Sequence, residues 1–466
     1  MKNVFQPSAF VCPNRVFTST SRPNGPKTPS PPLVAFPRIP SDNRIRCAFL
    51  IASRYVGEIR IAFVSTAPPR RCGIATFSAD LLEAIRGVDP HVTCHVAAID
   101  EPSALRAYKP NVRWRIRQDR ESSFRQAARE INDSTVDVVL VQHEFGLYGI
   151  WSDEIGADGK HESVYHDYLW SFLLELKKPV ITTMHTVLPE PSESIRETVR
   201  SICQFSDEIV VMSYTAESLL AEIYGVKKRV HVIPHGTPVI DPSGRHTFKA
   251  KMGLKDRILI STFGLVDPRK GLEFMVAAMP DIIRDHPDAL YLIAGQTHPD
   301  LLRAQGEVYR NQLQDLIRSL GIEEHVNFID HYMTLRDIVE LLLASDVYVT
   351  PYLDPNQITS GTLAYALSAG KAIVSTRYLH AIEALADGRG ILVDFRSSEQ
   401  LAGAVNSILD DAAFKNRLEH ATYLYGRETT WPKSGRAFLD LARELTHSSA
   451  SRRSSLTNSA SGGATH

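Results

Sequence analysis

The sequence carries no excess of charge of either sign: 52 Lys and Arg stand against 53 Asp and Glu, a formal net charge of -1. That balance supplies no field for holding nucleic acid or an anionic membrane surface, so neither is expected as a partner. Cysteine is scarce. The five residues, at 12, 47, 72, 94 and 203, are scattered, odd in number and form no C-x-x-C pair. This excludes a disulfide framework and a cysteine zinc site, and it points to a reducing, cytoplasmic setting. No apolar run reaches membrane-spanning length, since charge interrupts the longest within about a dozen residues. The glycine loops contain neither G-x-G-x-x-G nor a Walker lysine, which removes the usual dinucleotide and P-loop readings. An Asp-x-Asp pair of the kind that holds a divalent cation is also missing, and no metal is expected.

What is present is a chain of 466 residues, long enough for two domains and a large core. Residues 1–57 are rich in Pro, Ser, Arg and Lys, with Asp42 as the single acidic residue. Such a composition cannot bury a core, and a disordered extension is expected. An Arg- and Ser-rich, acid-poor start also fits an organellar targeting peptide. Folded sequence begins at Ile59–Thr66, a buried strand, followed by Ala67-Pro-Pro-Arg-Arg-Cys-Gly73 and a helix with apolar positions 74, 77, 81, 82 and 85. Strand, glycine loop and helix open a nucleotide-type α/β domain, with ligands expected beyond the strand's carboxyl end. Further strands are predicted at 92–99, 136–142, 180–184, 208–212 and 230–233, mostly separated by helical stretches. His143, followed by Glu144, and His185 each end one of these strands and fall on the expected ligand rim, although a loop histidine satisfied by backbone is the plainer reading of either.

A turn-rich segment, 235–244, reads as a linker. The alternation then restarts, with strands predicted at 258–263, 290–294, 326–329, 347–350, 372–375 and 391–393. The chain therefore divides into a first domain over 58–240, a second over 246–447 closed by a helix near 434–446, and a polar, disordered tail over 448–466. Between the first strand of the second domain and its helix lies Gly264-Leu-Val-Asp-Pro-Arg269-Lys270-Gly271. A lysine beside a glycine at a helix start can reach a phosphate as a point charge.

The most informative stretch is Gln357-Ile-Thr-Ser-Gly-Thr-Leu-Ala-Tyr365-Ala-Leu-Ser-Ala-Gly370, which runs into the strand Ala372–Thr376. Ser360, Gly361 and Thr362 occupy cap positions of a short helix that Gly370 ends. The helix start directs free N–H groups and a positive dipole end at whatever lies before it, commonly a phosphate.

These motifs together resemble the two-domain glycosyltransferases called GT-B, in particular the large retaining family known as family 4 or group 1. Phe263 to Gly271 resembles that family's donor-diphosphate loop. Val232-Ile-Pro-His-Gly236 is similar to its Ile-Pro-Asn-Gly turn, and Gln357 to Gly370 aligns with E-G-F-G-x-x-x-x-E-A-x-x-x-G. Three positions depart from the pattern. Gln357 and Tyr365 replace its two glutamates, which the family uses near the donor sugar and on the ribose, and Leu265 replaces an arginine used on the diphosphate.

The resemblance implies an α/β chain of two doubly wound Rossmann-like domains facing across a cleft. The first domain would be the acceptor side and the second the donor side. It implies transfer of a sugar from a nucleotide-diphosphate sugar to an acceptor hydroxyl, with retention, without metal and with no cofactor besides the substrate. Lys270, His185 and Gln357 would act at the reacting centre. Gly73, Arg269, Ser360, Gly361, Thr362, Tyr365 and Glu383 would hold the donor, with Arg269 as a replacement for the missing positive charge. His143 and Glu144 would meet the acceptor or the donor sugar. The lost glutamates also suggest a catalytically silent sugar-nucleotide or glycan binder. An epimerase of the same architecture would draw its acid and base from Glu144, His143 and His185.

Overall fold

A computed structural model describes residues 58–102, 105–155 and 161–461. The expected extension over 1–57 lies outside the described residues. The first domain is built on strands β1 (Arg60–Ser65), β2 (Thr93–Asp100), β3 (Val112–Arg117), β4 (Val138–His143), β5 (Gly149–Ile155), β6 (His161–Asp167), β7 (Val180–Met184), β8 (Glu208–Val211) and β9 (Val230–Val232). Seven of them form a parallel sheet in the order β3-β2-β1-β4-β7-β8-β9, and β5 and β6 pair antiparallel as a separate hairpin. The second domain repeats the plan with β10 (Ile258–Phe263), β11 (Ala289–Ala294), β12 (Val326–Ile329), β13 (Val347–Thr350), β14 (Ala372–Thr376) and β15 (Ile391–Val393), in the order β12-β11-β10-β13-β14-β15. In each sheet the order reverses beside the first strand of the domain, and a crevice forms at that point outside the strand ends.

The central strands are buried along nearly their whole length, and mostly apolar, because helices cover both faces. Val138–Leu140, Ile61, Phe63, Ile181 and Val210 are buried in the first sheet, and Ile260, Tyr291, Ile293, Val347 and Val374 in the second. Two elements escaped the sequence reading. β3 alternates exposed arginines with buried Trp114 and Ile116, the signature of an edge strand rather than a buried run. The β5–β6 pair lies outside the strand–helix alternation.

Six helices matter below: α1 (Gly73–Val88), α2 (Tyr214–Glu222), α3 (Leu272–Asp285), α4 (Gly361–Ser368), α5 (Leu379–Ala384) and α6 (Trp431–Ser461). The last corrects the expected domain boundary. The chain crosses back at Thr429–Trp431, where Thr237 N–H donates to Thr429 O (2.9 Å) and Trp431 N–H donates to Thr237 O (2.7 Å). Trp431, Phe438, Leu439 and Ala442 then join Phe77, Leu81, Leu82 and Ile85 in the core of the first domain. The apolar stripe of α6 thus belongs to α1, and the closing helix is part of the first domain's packing. α6 also runs on to Ser461, past the expected start of a disordered tail. No Gly or Pro interrupts 436–461, and Gly462 and Gly463 follow; residues 462–466 lie outside the described residues. Among the described residues no helix is long and apolar enough to cross a membrane.

α6 and α1 touch at Gly435, where a Cβ would come within 2.8 Å of the Ala84 carbonyl carbon and 2.9 Å of its Cβ. Gly435→Leu should therefore overpack this contact and cost about 1–3 kcal/mol, read as a drop in Tm. Gly403→Ala, in a helix where a Cβ meets nothing within 4 Å, is the control and should hold or raise Tm.

Candidate functional site

A cavity of about 490 Å³ opens where loops from the carboxyl ends of both sheets meet. On the second-domain side, β10 ends at Phe263 and the chain turns through Gly264 to Asp267, whose side chain caps the 3-10 turn Pro268–Lys270. Asp267 accepts from Arg269 N–H (2.8 Å) and from the Arg269 guanidinium (2.7 Å and 3.0 Å). The Arg269 side chain is 74% exposed and already neutralised by this pair, so it adds little net field to the cavity. Lys270 differs. Its ammonium rests 3.7 Å from the centre of the Tyr352 ring, and among the described residues it has no carboxylate partner within ion-pair distance. Burial pushes its pKa down to about 8, against the attraction of Asp267.

Tyr352 links this cation to the start of α4. Its ring stacks on Tyr378, and its hydroxyl lies 2.7 Å from Thr362 Oγ1. Ser360 caps α4 by accepting from Leu363 N–H, while its own N–H donates to His380 Nδ1 (2.9 Å). His380 can accept because burial holds its pKa at about 4. Gly361 and Thr362, in the first turn, line the cavity, and their N–H groups have no intrahelical acceptor. Gln357 lines it too, with Nε2 donating to Thr359 O (3.1 Å).

The first domain supplies the facing wall. Gly73 opens α1, and a Cβ there would meet nothing within 4 Å, so the space before it belongs to the cavity. Thr76, Phe77 and Asp80 follow on the same helical face at i+3, i+4 and i+7. Asp80 is pushed up to about 6 by burial, and its Oδ2 lies 3.4 Å from Tyr365 OH on α4. Glu144 accepts from Phe145 N–H and Thr186 OH (both 2.9 Å), with burial raising its pKa. His235 completes the wall. Its Nδ1 is 2.7 Å from Gly236 O and must carry the proton, which leaves Nε2 as a free acceptor beside Gly361.

Two sequence families match this chain. Residues 245–425 match "Glycosyl transferases group 1" and residues 161–239 match "Glycosyltransferase Family 4". The chain therefore carries glycosyltransferase domains of the group 1 and family 4 types. A similar curated protein is the GDP-mannose-dependent alpha-(1-6)-phosphatidylinositol monomannoside mannosyltransferase of Mycolicibacterium smegmatis, 26% identical over 46% of this chain and 56% of the relative. The chain thus spans about half the length of the curated relatives it matches. Among solved structures, the sucrose-phosphate synthase of Thermosynechococcus elongatus aligns over 84% of this chain and 100% of its own, with a TM-score of 0.65 and 17% identity. Anabaena HepE in complex with UDP and glucose aligns over 83% and 100%, with a TM-score of 0.60 and 14% identity. These likenesses establish the GT-B fold of two facing parallel-sheet domains.

In this chain Lys270, Arg269, Gln357, Gly361, Thr362, Tyr365, Gly73 and Glu144 line one cavity, while four other expected residues do not. Ser360 is the buried cap behind it. His143 is fully buried, with Nε2 2.9 Å from Asp167. His185 sits behind Phe77 (ring centroids 4.7 Å apart), bonded to Gln142 Oε1, and burial lowers its pKa to about 3. Both histidines end strands as expected, but their rings turn into the wall instead of through it. Glu383 is held elsewhere. Its carboxylate accepts from Tyr214 N–H (2.9 Å), Thr215 N–H (2.9 Å) and Thr215 OH (2.6 Å) at the start of α2 in the other domain. The positive end of that helix claims the carboxylate, and beside it Ile358 and Leu379 pack into the first-domain cluster of Met184, Val199 and Leu220. Glu383 is therefore a clasp between domains.

The residues missed from sequence were Thr76, Asp80 and His235. Helical spacing from Gly73 would have found the first two, and the histidine in place of the expected asparagine of the turn at 232–236 marked the third. Removing the clasp with Glu383→Ala leaves three donors without their acceptor and should destabilise the chain by about 1–3 kcal/mol in urea unfolding.

Proposed function

We propose that this chain transfers a sugar from a nucleoside-diphosphate sugar to an acceptor hydroxyl with retention of configuration, without a metal ion. The observation that carries this reading is Lys270, a cation with no carboxylate partner among the described residues, which lines the same cavity as Gly361 and Thr362 at the start of α4. When the bond between the anomeric carbon and the diphosphate lengthens, negative charge gathers on the departing oxygens. Donors already fixed around that charge lower the barrier because they need not reorganise. The acceptor oxygen bonds to the anomeric carbon on the face the diphosphate leaves, and its proton passes to a departing phosphate oxygen. Gln357, at the helix approach, offers its side-chain oxygen to a sugar hydroxyl, and Tyr365 offers a hydroxyl and a ring face further along α4. Support for the donor class comes from HepE, which is described with UDP and glucose, and from the mycobacterial relative, named for GDP-mannose.

A silent binder would hold a sugar nucleotide without consuming it. An epimerase would need an acid and a base at the sugar, and of Glu144, His143 and His185 only Glu144 lines the cavity. Incubation with UDP-glucose and GDP-mannose, followed by product analysis, separates the three. Transfer or hydrolysis of the donor supports the proposal, whereas binding without turnover, or an isomeric sugar nucleotide as sole product, rejects it.

Lys270→Ala should lower kcat at least ~100-fold, as loss of one transition-state donor does, and EDTA should leave the wild-type rate intact. Near-normal turnover in the variant, or a loss on chelation restored by Mg²⁺, would overturn the assignment of charge to side chains.

The ammonium also sets a pH dependence. With a pKa near 8, Lys270 is charged below that pH and loses its proton as pH rises through it. The kcat/KM profile for donor should therefore fall on an alkaline limb near pH 8, and Lys270→Arg should carry that limb upward, because a guanidinium stays charged.

A further inference from the structure

The two walls of the cavity differ in hydrogen-bonding character. The second-domain wall presents the Lys270 ammonium and the start of α4, together with the carboxylates of Asp354 and of Asp267, the latter paired with Arg269. The first-domain wall presents acceptors. Asp80 has no ion pair among the described residues and a single hydrogen bond, from Tyr365. Glu144 uses one lone pair of each oxygen, on Phe145 N–H and on Thr186 OH, and keeps the others open. His235 Nε2 is free, since Nδ1–H is spent on Gly236 O.

The neighbouring cations do not reach this wall. Arg70 pairs with Glu101 (3.3 Å) and bonds Ile99 O and Gln118. Arg71 lies at the rim and turns toward the second domain, where it donates to Gln296 Oε1 (3.1 Å) and covers the Tyr332 ring. Arg269 is held by Asp267. Among the described residues, a phosphate group placed against Asp80, Glu144 and His235 would find carboxylates and an imidazole lone pair, while Arg71 is engaged on Gln296 and Tyr332 across the rim.

Resting on the glycosyltransferase reading, we propose that the acceptor is an uncharged polyhydroxyl compound, and that Asp80, Glu144 and His235 select it against phosphorylated counterparts. Each hydroxyl of such a compound donates to one of these acceptors, and several engaged together fix which oxygen faces the anomeric carbon. A phosphate monoester brings about two negative charges at neutral pH and only acceptor oxygens. Like charges brought together in this way weaken binding enough to make a difference of about tenfold or more.

The test uses the full-length protein with UDP-glucose or GDP-mannose and three acceptor pairs that differ by one phosphate: glucose and glucose 6-phosphate, fructose and fructose 6-phosphate, inositol and inositol 3-phosphate. Transfer and inhibition of donor hydrolysis are measured for each member. The neutral member should be favoured by at least about tenfold in kcat/KM, or in inhibition where no transfer occurs. Asp80→Asn and Glu144→Gln should each narrow the gap, raising KM for the neutral member and lowering it for the phosphorylated one. Equal use of the two members, or preference for the phosphorylated one, overturns the proposal while donor turnover still upholds the transferase. An unchanged ratio in both variants overturns the assigned roles. If neither donor is consumed by transfer or by hydrolysis, the transferase reading itself fails.

Discussion

The cavity depends on one contact, between the Trp431 indole and the backbone at Gly236. A Cβ on Gly236 would lie 2.0 Å from that ring, so the indole rests directly on the main chain of the interdomain turn. His235, next in the chain, is thereby held with its ring 5.0 Å from Phe77 and 6.3 Å from Tyr365. Phe77 in turn packs on Trp431 and His185. First domain, second domain and closing helix meet in this single aromatic group. Any side chain at 236 would have to displace the indole, and with it the seat of α6 on α1. That is why the last helix returns to the first domain: it supplies the apolar floor against which the site's wall is set.

A second constraint is the local placement of charge. Arg269 and Lys270 are neighbours in one turn, yet they end in opposite states. Asp267 caps the turn and therefore sits within reach of Arg269, whose planar fork it accepts along two bonds. Lys270 points the other way, over Tyr352, where an aromatic face offers attraction without neutralising it. The ring stabilises the ammonium and leaves its charge available to an anion. Tyr352 also bonds Thr362, so the cation and the start of α4 are fixed relative to each other through one side chain.

Most of the sheet architecture was legible because buried parallel strands are continuous apolar runs, and four of the six strands in the second domain match the expected bounds residue for residue. What failed to show was anything dependent on a partner distant in sequence. The alternating edge strand Val112–Arg117 looks polar until its neighbour is known. The apolar stripe of α6 is visible in sequence, but nothing in it says which domain it covers. The same distinction governs the site. Lys270, Gly361 and Thr362 sit in glycine-marked turns whose local chemistry points outward, and their place in the cavity could be read. For His143, His185 and Glu383 the side-chain direction is decided by Asp167, Gln142 and the start of α2, which are 24, 43 and 168 or more residues away.

The separation of the site between two sheets has a chemical consequence. Donors gathered after β10 and at the start of α4 suit the anionic end of a ligand, and acceptors gathered along α1 and after β4 suit a hydroxylated end. Placed in one domain, Asp80 and Glu144 would pair with Lys270 and cancel it, as Asp267 cancels Arg269. Holding them on opposite walls of a cavity of about 490 Å³ keeps both sets unspent until something lies between them. The clasp at Glu383 and the seam at Trp431 hold the walls at that spacing, and hydrogen bonds from Tyr365 to Asp80 and between Thr76 and Tyr332 cross between them. Stability and chemistry meet at His235, which packs in the aromatic seam with Trp431 and Phe77 and also lines the cleft, whereas Glu383 lies outside the cavity lining and serves the closed arrangement alone.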